Sequence, residues 1–289
     1  MDNEFHQSEH HKFIPMTSIT SGGGIQVKTD IYYYTDQIVN IGFIGNPETG
    51  DWVLIDAGLP NAAPEIKSVV VDRFGRGSQP NAILLTHGHF DHVGGIADLL
   101  EEWDVPVYAH PLEIPYLTGE KSYPDPDPSV EGGVLAKISS MYPVEPIDLG
   151  EAIQSLPEDN SVPGLADWKW IHTPGHTPGH VSFYRERDGF LFSGDAVVTV
   201  RQDSLPRVFM QTQEVCGPPR YLTTDWKAAR ASVEKLAELN PSTLVSGHGA
   251  VMKDEKLSKG FQRLVSSFDE LAMPNHGKYV DQDDSPNYH

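Results

Sequence analysis

Thr86-His87-Gly88-His89-Phe90-Asp91-His92 is the stretch that decides the fold, and it directly follows an apolar segment of the chain. Imidazoles are common ligands of zinc and iron in proteins, and a carboxylate adds a harder oxygen donor. His87 and His89 are two residues apart in an extended turn and share one side, so they are predicted to bind one metal. Asp91 and His92 point elsewhere and are predicted to bind a second metal.

The residues around this run favour a metal site over an ordinary surface loop. Gly88, Gly94 and Gly95 allow a tight turn that bends several side chains toward one point. A surface loop of titrating histidines is the alternative, and for a lone histidine it would be the better interpretation. The pattern H-x-H-x-D-H at the end of a strand favours the metal site.

Three later segments place further metal ligands at the ends of predicted strands, which is where sites form in folds built on sheets. Each segment is weak evidence alone, but their order along the chain and their placement at strand ends predict one shared site. The segments are His172-Thr173-Pro174-Gly175-His176-Thr177-Pro178-Gly179-His180, Ser193-Gly194-Asp195 and Gly247-His248-Gly249.

The apolar pattern predicts two halves, each with strands first and helices after, and each with a strand that leads into a histidine. Such runs indicate two sheets packed together with helices outside, which is an α+β fold. Strands are predicted at residues 25–34, 37–44, 52–58 (ending in a turn), 82–86, 105–109, 168–172, 181–184, 190–193 and 243–246. Helices are predicted at 62–75, 93–103, 254–272 and after the capping residue Asp225, and residues 130–141 are a candidate short helix.

Three segments depart from this regular pattern. Residues 1–24 are predicted to be a polar lead-in and residues 273–289 a polar tail, which leaves residues 25–272 as a single domain. Residues 111–164 are rich in proline and are predicted to be an insertion that forms a lid or a pocket wall. A surface excursion without a role, or a dimer contact, is the alternative for this insertion.

The charge of the chain excludes some classes of partner. Lysine and arginine number 21 against 41 aspartate and glutamate residues, a formal net charge of −20, which argues against nucleic-acid binding. No apolar run approaches the length of a membrane helix, and the N-terminal residues do not resemble a secretory signal. Cys216 is the only cysteine and excludes an internal disulfide. We therefore predict a cytoplasmic enzyme with a small-molecule substrate, and a homodimer is left open.

Over residues 25–255 the sequence resembles the metallo-β-lactamase-fold hydrolase superfamily, whose members are αββα sandwiches with two mixed β-sheets and helices on the outer faces. The resemblance implies a complete set of ligands for two metal ions. The first metal would be bound by His87, His89 and His176, the second by Asp91, His92 and His248, and Asp195 would bridge both. The family's third ligand stands before Thr-x-Gly, as His176 does here. The resemblance also implies that Asp56 supports the ligands without binding metal, and His172 and His180 are assigned the same kind of role or a structural one.

Two divalent ions about 3.5–4 Å apart can share one water and lower its pKa to near neutrality, which yields a hydroxide nucleophile. The expected ions are zinc, with manganese, iron or cobalt as alternatives. Asp91 is the predicted catalytic residue, which guides the nucleophile and passes a proton to the leaving group. No serine or cysteine nucleophile is required.

The ligand pattern narrows the expected activity within the superfamily. The β-lactamases typically carry cysteine at the position of Asp195, and flavodiiron proteins carry glutamate at that of His89. The sequence resembles instead the glyoxalase-II-like thioesterases and the lactonases, which predicts cleavage of a lactone, carboxylic ester or thioester. A phosphodiesterase and a mononuclear-iron sulfur dioxygenase remain alternatives on the same scaffold. A non-catalytic metal-binding protein is less consistent with the complete ligand set.

The substrate is predicted to contact the insertion at residues 111–145 and the segment 197–224. Val198 occupies the position at which known lactonases carry a tyrosine. The residues selected from the second segment offer aromatic and apolar side chains with few charges, which favours a moderately apolar acyl or lactone substrate, although the same residues could serve only in packing. The predicted pocket residues are Val198, Arg201, Phe209, Met210 and Tyr221.

Overall fold

Residues 17–131 and 133–280 are described by the computed structural model of the protein. Residues 17–24 of the predicted lead-in and 273–280 of the predicted tail therefore belong to the described part, and residues 1–16 and 281–289 lie outside it. Among the helices of the described part, none is both long enough and apolar enough to cross a membrane.

The first sheet has seven strands in chain order, from β1 to β7. The neighbours from β1 to β4 run antiparallel, and those from β4 to β7 run parallel, so the sheet is mixed. Its strands are β1 (Gly24–Lys28), β2 (Ile31–Asp36), β3 (Val39–Gly45), β4 (Trp52–Ile55), β5 (Ile83–Leu84), β6 (Val107–Ala109) and β7 (Ile153–Ser155).

The second sheet has six strands in the order β15-β14-β11-β10-β9-β8, and β11 and β14 are its parallel pair. A separate antiparallel pair is formed by β12 and β13. These strands are β8 (Ser161–Val162), β9 (Leu165–His172), β10 (Val181–Arg185), β11 (Phe190–Phe192), β12 (Val198–Val200), β13 (Gln213–Cys216), β14 (Thr243–Val245) and β15 (Met252–Lys253).

The helices cover the outer faces of the two sheets. Their packing follows from side-chain alternation along the strands. Helices α1 and α3 share a core with the first sheet, and α7 and α8 share one with the second. The helices are α1 (Ala63–Phe74), α2 (Phe90–Val93), α3 (Ile96–Leu100), α4 (Ile114–Leu117), α5 (Gly133–Ile138), α6 (Leu205–Met210), α7 (Trp226–Glu238), α8 (Asp254–Ser266) and α9 (Phe268–Leu271).

Strand β4 shows how one strand contributes to two cores. Trp52 and Leu54 face the core beneath α1, whereas Val53 and Ile55 face the core between the sheets. In the opposing sheet Phe190 and Phe192 face the same inner core, and Leu191 faces outward. The result is the predicted αββα sandwich, with an inner core between the sheets and an outer core beneath the helices of each sheet.

The predicted helix at 93–103 is instead two short helices, α2 and α3, and the first begins inside the histidine run. The break occurs because Gly94 and Gly95 direct their amides to a neighbouring segment. Their N–H groups donate to the carbonyls of Gly58 and Ala57 at 2.8 and 3.1 Å. The predicted helix at 254–272 is likewise divided into α8 and α9, at Ser267.

The predicted insertion at 111–164 contains more regular structure than the prolines suggest. Besides α4 and α5, it includes β7, the last strand of the first sheet, and β8, an outer strand of the second. Leu117 and Leu149 are fully buried in the core of the first sheet. The last quarter of the segment is therefore the connection between the two sheets. The predicted loop at 197–224 likewise contains β12, α6 and β13.

Candidate metal centre

The predicted ligands come from four loops that begin at strand ends. The histidine run follows β5, the segment 172–180 connects β9 to β10, and Asp195 follows β11. His248 follows β14, which pairs in parallel with β11. Because β5 lies in the first sheet and the other strands in the second, the ligands meet where both sheets open on the same end of the sandwich.

Three histidines form the histidine group, defined here as His87, His89 and His176. The Nε2 atom of His87 lies 3.1 Å from Nδ1 of His89, which lies 2.9 Å from Nε2 of His176. All three side chains are buried. Three imidazole nitrogens directed at one point are a donor set suited to zinc, iron and similar metals.

Asp91, His92 and His248 form a second cluster, the mixed group. The Oδ2 atom of Asp91 lies 3.4 Å from Nε2 of His248 and 4.0 Å from Nε2 of His92. Within each group the potential ligand atoms lie within 4.8 Å of one another. The two groups are those that the resemblance assigned to the first and second metals, and their role in binding metal stays a prediction.

Asp195 lies between the two groups. Its Oδ2 atom is 3.6 Å from Nε2 of His176 and 3.3 Å from Nε2 of His248, and its Oδ1 atom is 3.6 Å from Nε2 of His92. One carboxylate therefore faces both groups at once. This is the position that a bridging ligand requires.

The second ring nitrogen of four of these histidines is bound to the protein. Nδ1 of His92 donates to Asp56 Oδ2 at 2.8 Å, and Nδ1 of His248 donates to the carbonyl of Ile38 at 3.0 Å. His87 and His176 direct Nδ1 to threonine hydroxyls, at 3.0 Å to Thr86 and 3.3 Å to Thr223. Such contacts fix the ring orientation and direct Nε2 toward the centre, as in metal-binding histidines.

Asp56 lies beside the predicted ligands, and its side chain is fully buried. Its Oδ1 atom accepts the backbone N–H of Thr86 at 2.8 Å, and its Oδ2 atom accepts the Thr86 hydroxyl and His92, each at 2.8 Å. One carboxylate therefore holds a member of the mixed group directly and His87 through Thr86.

The two remaining histidines of the segment 172–180 have different surroundings. His180 is buried, and its Nε2 atom accepts the backbone N–H of Asp195 at 2.9 Å. His180 thus orients Asp195 and has no free nitrogen for metal. His172 stacks on His110 with ring centroids 4.2 Å apart and bonds to the carbonyl of Pro178, so its contacts are structural.

The charges at the centre follow from burial and from the neighbouring groups. Burial lowers the pKa of His89 to about 4 and that of His180 to about 3, so both stay neutral at pH 7. Burial opposes protonation of His92 as well, but the carboxylates of Asp56 and its neighbours outweigh burial and raise its pKa to about 9. Burial raises the pKa of Asp195, but the charges of His248 and His92 have the larger effect, and the net pKa lies well below its ordinary value. The mixed group and Asp195 therefore combine buried carboxylates with imidazoles whose protonation they favour, beside the histidine group, in which burial lowers the pKa of each imidazole.

Two buried atoms of the centre lack a hydrogen-bond partner, Nε2 of His92 and Oδ1 of Asp195. An unpaired buried polar atom is costly, and nearly all such atoms in proteins have a partner. Here the two atoms are 3.6 Å apart, and each is a ligand type that divalent cations accept. The residues present therefore fit a metal centre.

The structure brings some of the predicted pocket residues to the centre and places others at the surface. Tyr221 is buried. Burial has the largest effect in raising the pKa of its phenol, and the charges of Tyr142, Asp91 and Asp195 raise it further. Val198 is buried in β12, and Arg201 binds the carboxylate of Asp203 at 3.0 Å. Phe209 and Met210 lie on α6 with 49% and 56% of their surface exposed.

Sequence reasoning assigned no role to Tyr142, Glu113 or Phe90, which lie beside the centre. The ring of Tyr142 is 5.6 Å from those of both Tyr221 and Phe90. Tyr142 comes from the proline-rich segment, so part of this segment forms a wall near Asp91. The position of Tyr142 in the proline-rich segment was the only sequence feature that pointed to it. Which tyrosine of that segment faces the centre depends on the tertiary structure.

The sequence profile of the metallo-β-lactamase superfamily matches residues 34–248. A protein of Bacillus subtilis (strain 168) named "Probable metallo-hydrolase YflN" is 45% identical over 260 residues, which are 90% of this chain and 98% of that protein. The hydroxyacylglutathione hydrolase of Legionella pneumophila (strain Lens) is 29% identical over 150 residues, which cover 50% of this chain and 46% of that enzyme.

A solved structure, that of TTHA1623 in a di-iron-bound form, is similar in fold with a TM-score of 0.50 and 31% sequence identity. The similarity covers 74% of this chain and 89% of that protein. The similarity to the Bacillus protein extends over nearly the whole length of both chains, whereas that to the hydroxyacylglutathione hydrolase is confined to about half of each.

Proposed function

The chain belongs to the metallo-β-lactamase superfamily, and on that premise we propose that it is a dinuclear metal-dependent hydrolase of a small lactone, carboxylic ester or thioester. The observation that carries the proposal is the position of Asp195, with Oδ2 facing both His176 and His248. A carboxylate shared between two ligand groups suits two cations better than one.

The cations would be held by the histidine group and the mixed group, with Asp195 between them. When bound, two divalent cations supply a water of lowered pKa and polarise the oxygen of the scissile bond. Zinc fits the nitrogen-rich donor set, and the iron in the structure of TTHA1623 makes iron the principal alternative.

Asp91 is the proposed acid–base residue. Its side chain is buried but is 10% exposed, against 4% for that of His248, and its Oδ2 atom lies 3.4 Å from Nε2 of His248. Burial raises the pKa of Asp91, but the neighbouring His92 and His248 lower it by more, so the carboxylate is ionised at pH 7 and can accept a hydrogen bond from water. It would orient the nucleophilic water and carry its proton on Oδ2 to the leaving group.

The walls beside Asp91 support a moderately apolar substrate. Phe90, Tyr142 and Tyr221 belong to a cluster of buried and partly buried residues that also includes Ile38 and Val200. The phenols of Tyr142 and Tyr221 stay protonated at pH 7, because burial raises the pKa of each. An acyl chain or lactone ring suits such a wall, and a phenol can donate a hydrogen bond to a carbonyl oxygen.

The test is a metal analysis together with a hydrolysis panel. Protein purified without added metal would be analysed for zinc, iron, manganese and cobalt and assayed on lactones, thioesters, aryl esters and bis-aryl phosphodiesters. We expect two equivalents of metal per chain and turnover of at least one carboxylic ester or thioester class.

Two results would contradict the proposal. Turnover of phosphodiesters alone would assign phosphoryl chemistry to the centre. One iron per chain with consumption of oxygen and no ester hydrolysis would assign the centre to a dioxygenase. The variant Asp195→Ala, compared with wild type, tests the two-metal mechanism, and full activity in a folded Asp195→Ala protein would refute it.

A further inference from the structure

Glu113 is a fully buried carboxylate that the proposed chemistry does not use. It follows β6 and directly precedes α4, within the proline-rich segment. Its two oxygens accept hydrogen bonds from two different loops, and those are the loops that supply the histidine group. Among the buried carboxylates of residues 17–131 and 133–280, Glu113 is the one with described hydrogen bonds from backbone N–H groups of both loops.

The Oε2 atom of Glu113 holds the loop of His87 and His89. It accepts the backbone N–H of Gly88, the residue between the two histidines, at 3.1 Å. It also accepts the hydroxyl of Tyr123, which itself accepts the same Gly88 N–H at 3.0 Å. The ring of Tyr123 packs on that of His89 with centroids 4.5 Å apart.

The Oε1 atom of Glu113 holds the loop of His176. It accepts the hydroxyl of Thr177, the next residue, at 2.7 Å, and the backbone N–H of Gly179 at 2.7 Å. A side chain at Gly179 would place its Cβ 2.8 Å from Cγ and from the backbone nitrogen of Glu113. The close approach of this loop to Glu113 therefore depends on glycine at that position.

We propose that Glu113 is a positioning residue that sets the spacing between the two loops of the histidine group and thereby the metal affinity of that group. The proposal rests on the metal centre proposed above. Two backbone N–H groups can only donate, so each oxygen of Glu113 must accept. The contacts described for Glu113 do not include the mixed group, in which His92 is bound by Asp56 and His248 by the carbonyl of Ile38. The effect of Glu113 should therefore be confined to one of the two metals.

The decisive variant is Glu113→Gln, which keeps the size of the side chain and replaces one acceptor oxygen by an NH₂ donor. That donor would face the N–H of Gly88 or of Gly179, so one of the two loops loses its bonds. The matched control is Asp30→Asn. Asp30 binds the buried Arg185 at 2.5 Å, and Arg185 lies at the end of β10 opposite to His180.

The experiment titrates metal-free protein with Zn²⁺ in competition with a chromogenic chelator. It is repeated in two backgrounds, His248→Ala, which leaves the histidine group intact, and His89→Ala, which leaves the mixed group intact. Outer contacts of this kind change metal affinity by about 10- to 100-fold. We expect Glu113→Gln to weaken Zn²⁺ binding about tenfold or more in the His248→Ala background and to have no effect in the His89→Ala background.

Each outcome supports or overturns the proposal. Unchanged Zn²⁺ affinity of Glu113→Gln in the His248→Ala background would overturn it, even if thermal stability falls. An equal loss of affinity in Asp30→Asn would overturn it too, because general destabilisation would then suffice. If Glu113→Gln does not fold, Tyr123→Phe is tested in its place. We expect Tyr123→Phe to lower the Zn²⁺ affinity of the histidine group severalfold, and an unchanged affinity would contradict the proposal. Wild-type protein that binds no Zn²⁺ would refute the metal centre itself, which is a distinguishable result.

Discussion

At the scale of single residues, the candidate centre depends on buried carboxylates that lie outside the two ligand groups. Asp56 joins Thr86 and His92, and its backbone has a φ of 62°, in the left-handed region that aspartate tolerates better than most residues. The left-handed turn at the end of β4 lets one side chain reach back to the end of β5. Ligand orientation is therefore determined by a residue 30 positions or more away in sequence.

We predict that Asp56→Asn weakens metal binding about 10- to 100-fold, because the amide presents a donor where Thr86 and His92 also donate. The measurement is Zn²⁺ competition with a chelator. The control is Asp36→Asn, since Asp36 lies in the same sheet and accepts only the N–H of Leu59, at 3.0 Å, in the contacts described. Equal affinities of Asp56→Asn and wild type would show that His92 is oriented by other contacts.

Cys216 gives a second prediction, which concerns its thiol. Burial raises the pKa of Cys216 to about 12, and the nearby Glu214 adds to the shift. Because the thiolate is the reactive form, we expect the native protein at pH 8 to react with a disulfide reagent on the order of 100-fold more slowly than protein unfolded in urea. The chain has one cysteine, so the released chromophore reports on this residue alone. Equal rates in the two states would show that the thiol is accessible and ionisable.

The predicted metal ligands were accessible to sequence reasoning because short runs display them. Four of the seven lie within six positions, and glycines and strand ends accompany the others. Glu113 and Tyr142 were not accessible in this way. Both lie in a segment without regular periodicity, and the partners of Glu113, such as Gly179, are 66 residues away. Contacts of that kind depend on tertiary structure, which no local pattern reports.

At the scale of elements, amphipathic helices are the best-predicted parts. The helix predicted at 62–75 is α1, which spans Ala63–Phe74, because its apolar residues recur at the helical period and face one core. The short strands in the proline-rich segment were missed. β7 has three residues, two of them exposed, so neither alternation nor a buried run distinguishes it.

The cap of α7 gives a prediction at this scale. Asp225 accepts the backbone N–H of Ala228 at 2.8 Å, as the sequence predicts for a capping residue. We expect Asp225→Ala to lower the free energy of unfolding by about 1 kcal/mol. Urea denaturation measures this, with Glu234→Ala on the exposed face of the same helix as the control, for which a change within about 0.5 kcal/mol is expected. A smaller loss in Asp225→Ala than in the control would contradict the role of the cap.

At the scale of the whole molecule, both sheets contribute ligands, so bound metal should hold the sandwich together. For one ion at 100 times its dissociation constant the stabilisation is about 2.7 kcal/mol. Removal of metal should therefore lower the melting temperature by roughly 5–10 °C for a chain of this size. The measurement is thermal unfolding with and without a chelator, and the control is Asp195→Ala, for which a smaller shift is expected. An equal melting temperature with and without chelator would contradict metal binding to the folded state.

The αββα architecture as a whole was predictable, because the order of strands and helices and the ligand pattern both indicated it. The connection between the sheets was not, since its boundaries depend on β7 and β8, which pair with distant strands. The predicted substrate pocket stays a prediction. Tyr221 is buried beside Tyr142, whereas Phe209 and Met210 on α6 are about half exposed.

The spread of the ligands along the chain has a consequence for how the protein folds. His87 and His248 are separated by more than half of the sequence, and Asn40 at the start of β3 donates to the carbonyls of Ser246 and Gly249 at 2.9 and 2.7 Å. Contacts of such sequence separation impose a high contact order and slow folding, because loop closure precedes any stabilising contact. Almost the whole nascent chain would therefore leave the ribosome before the candidate metal centre can form. Binding of cations would then be the last step of folding.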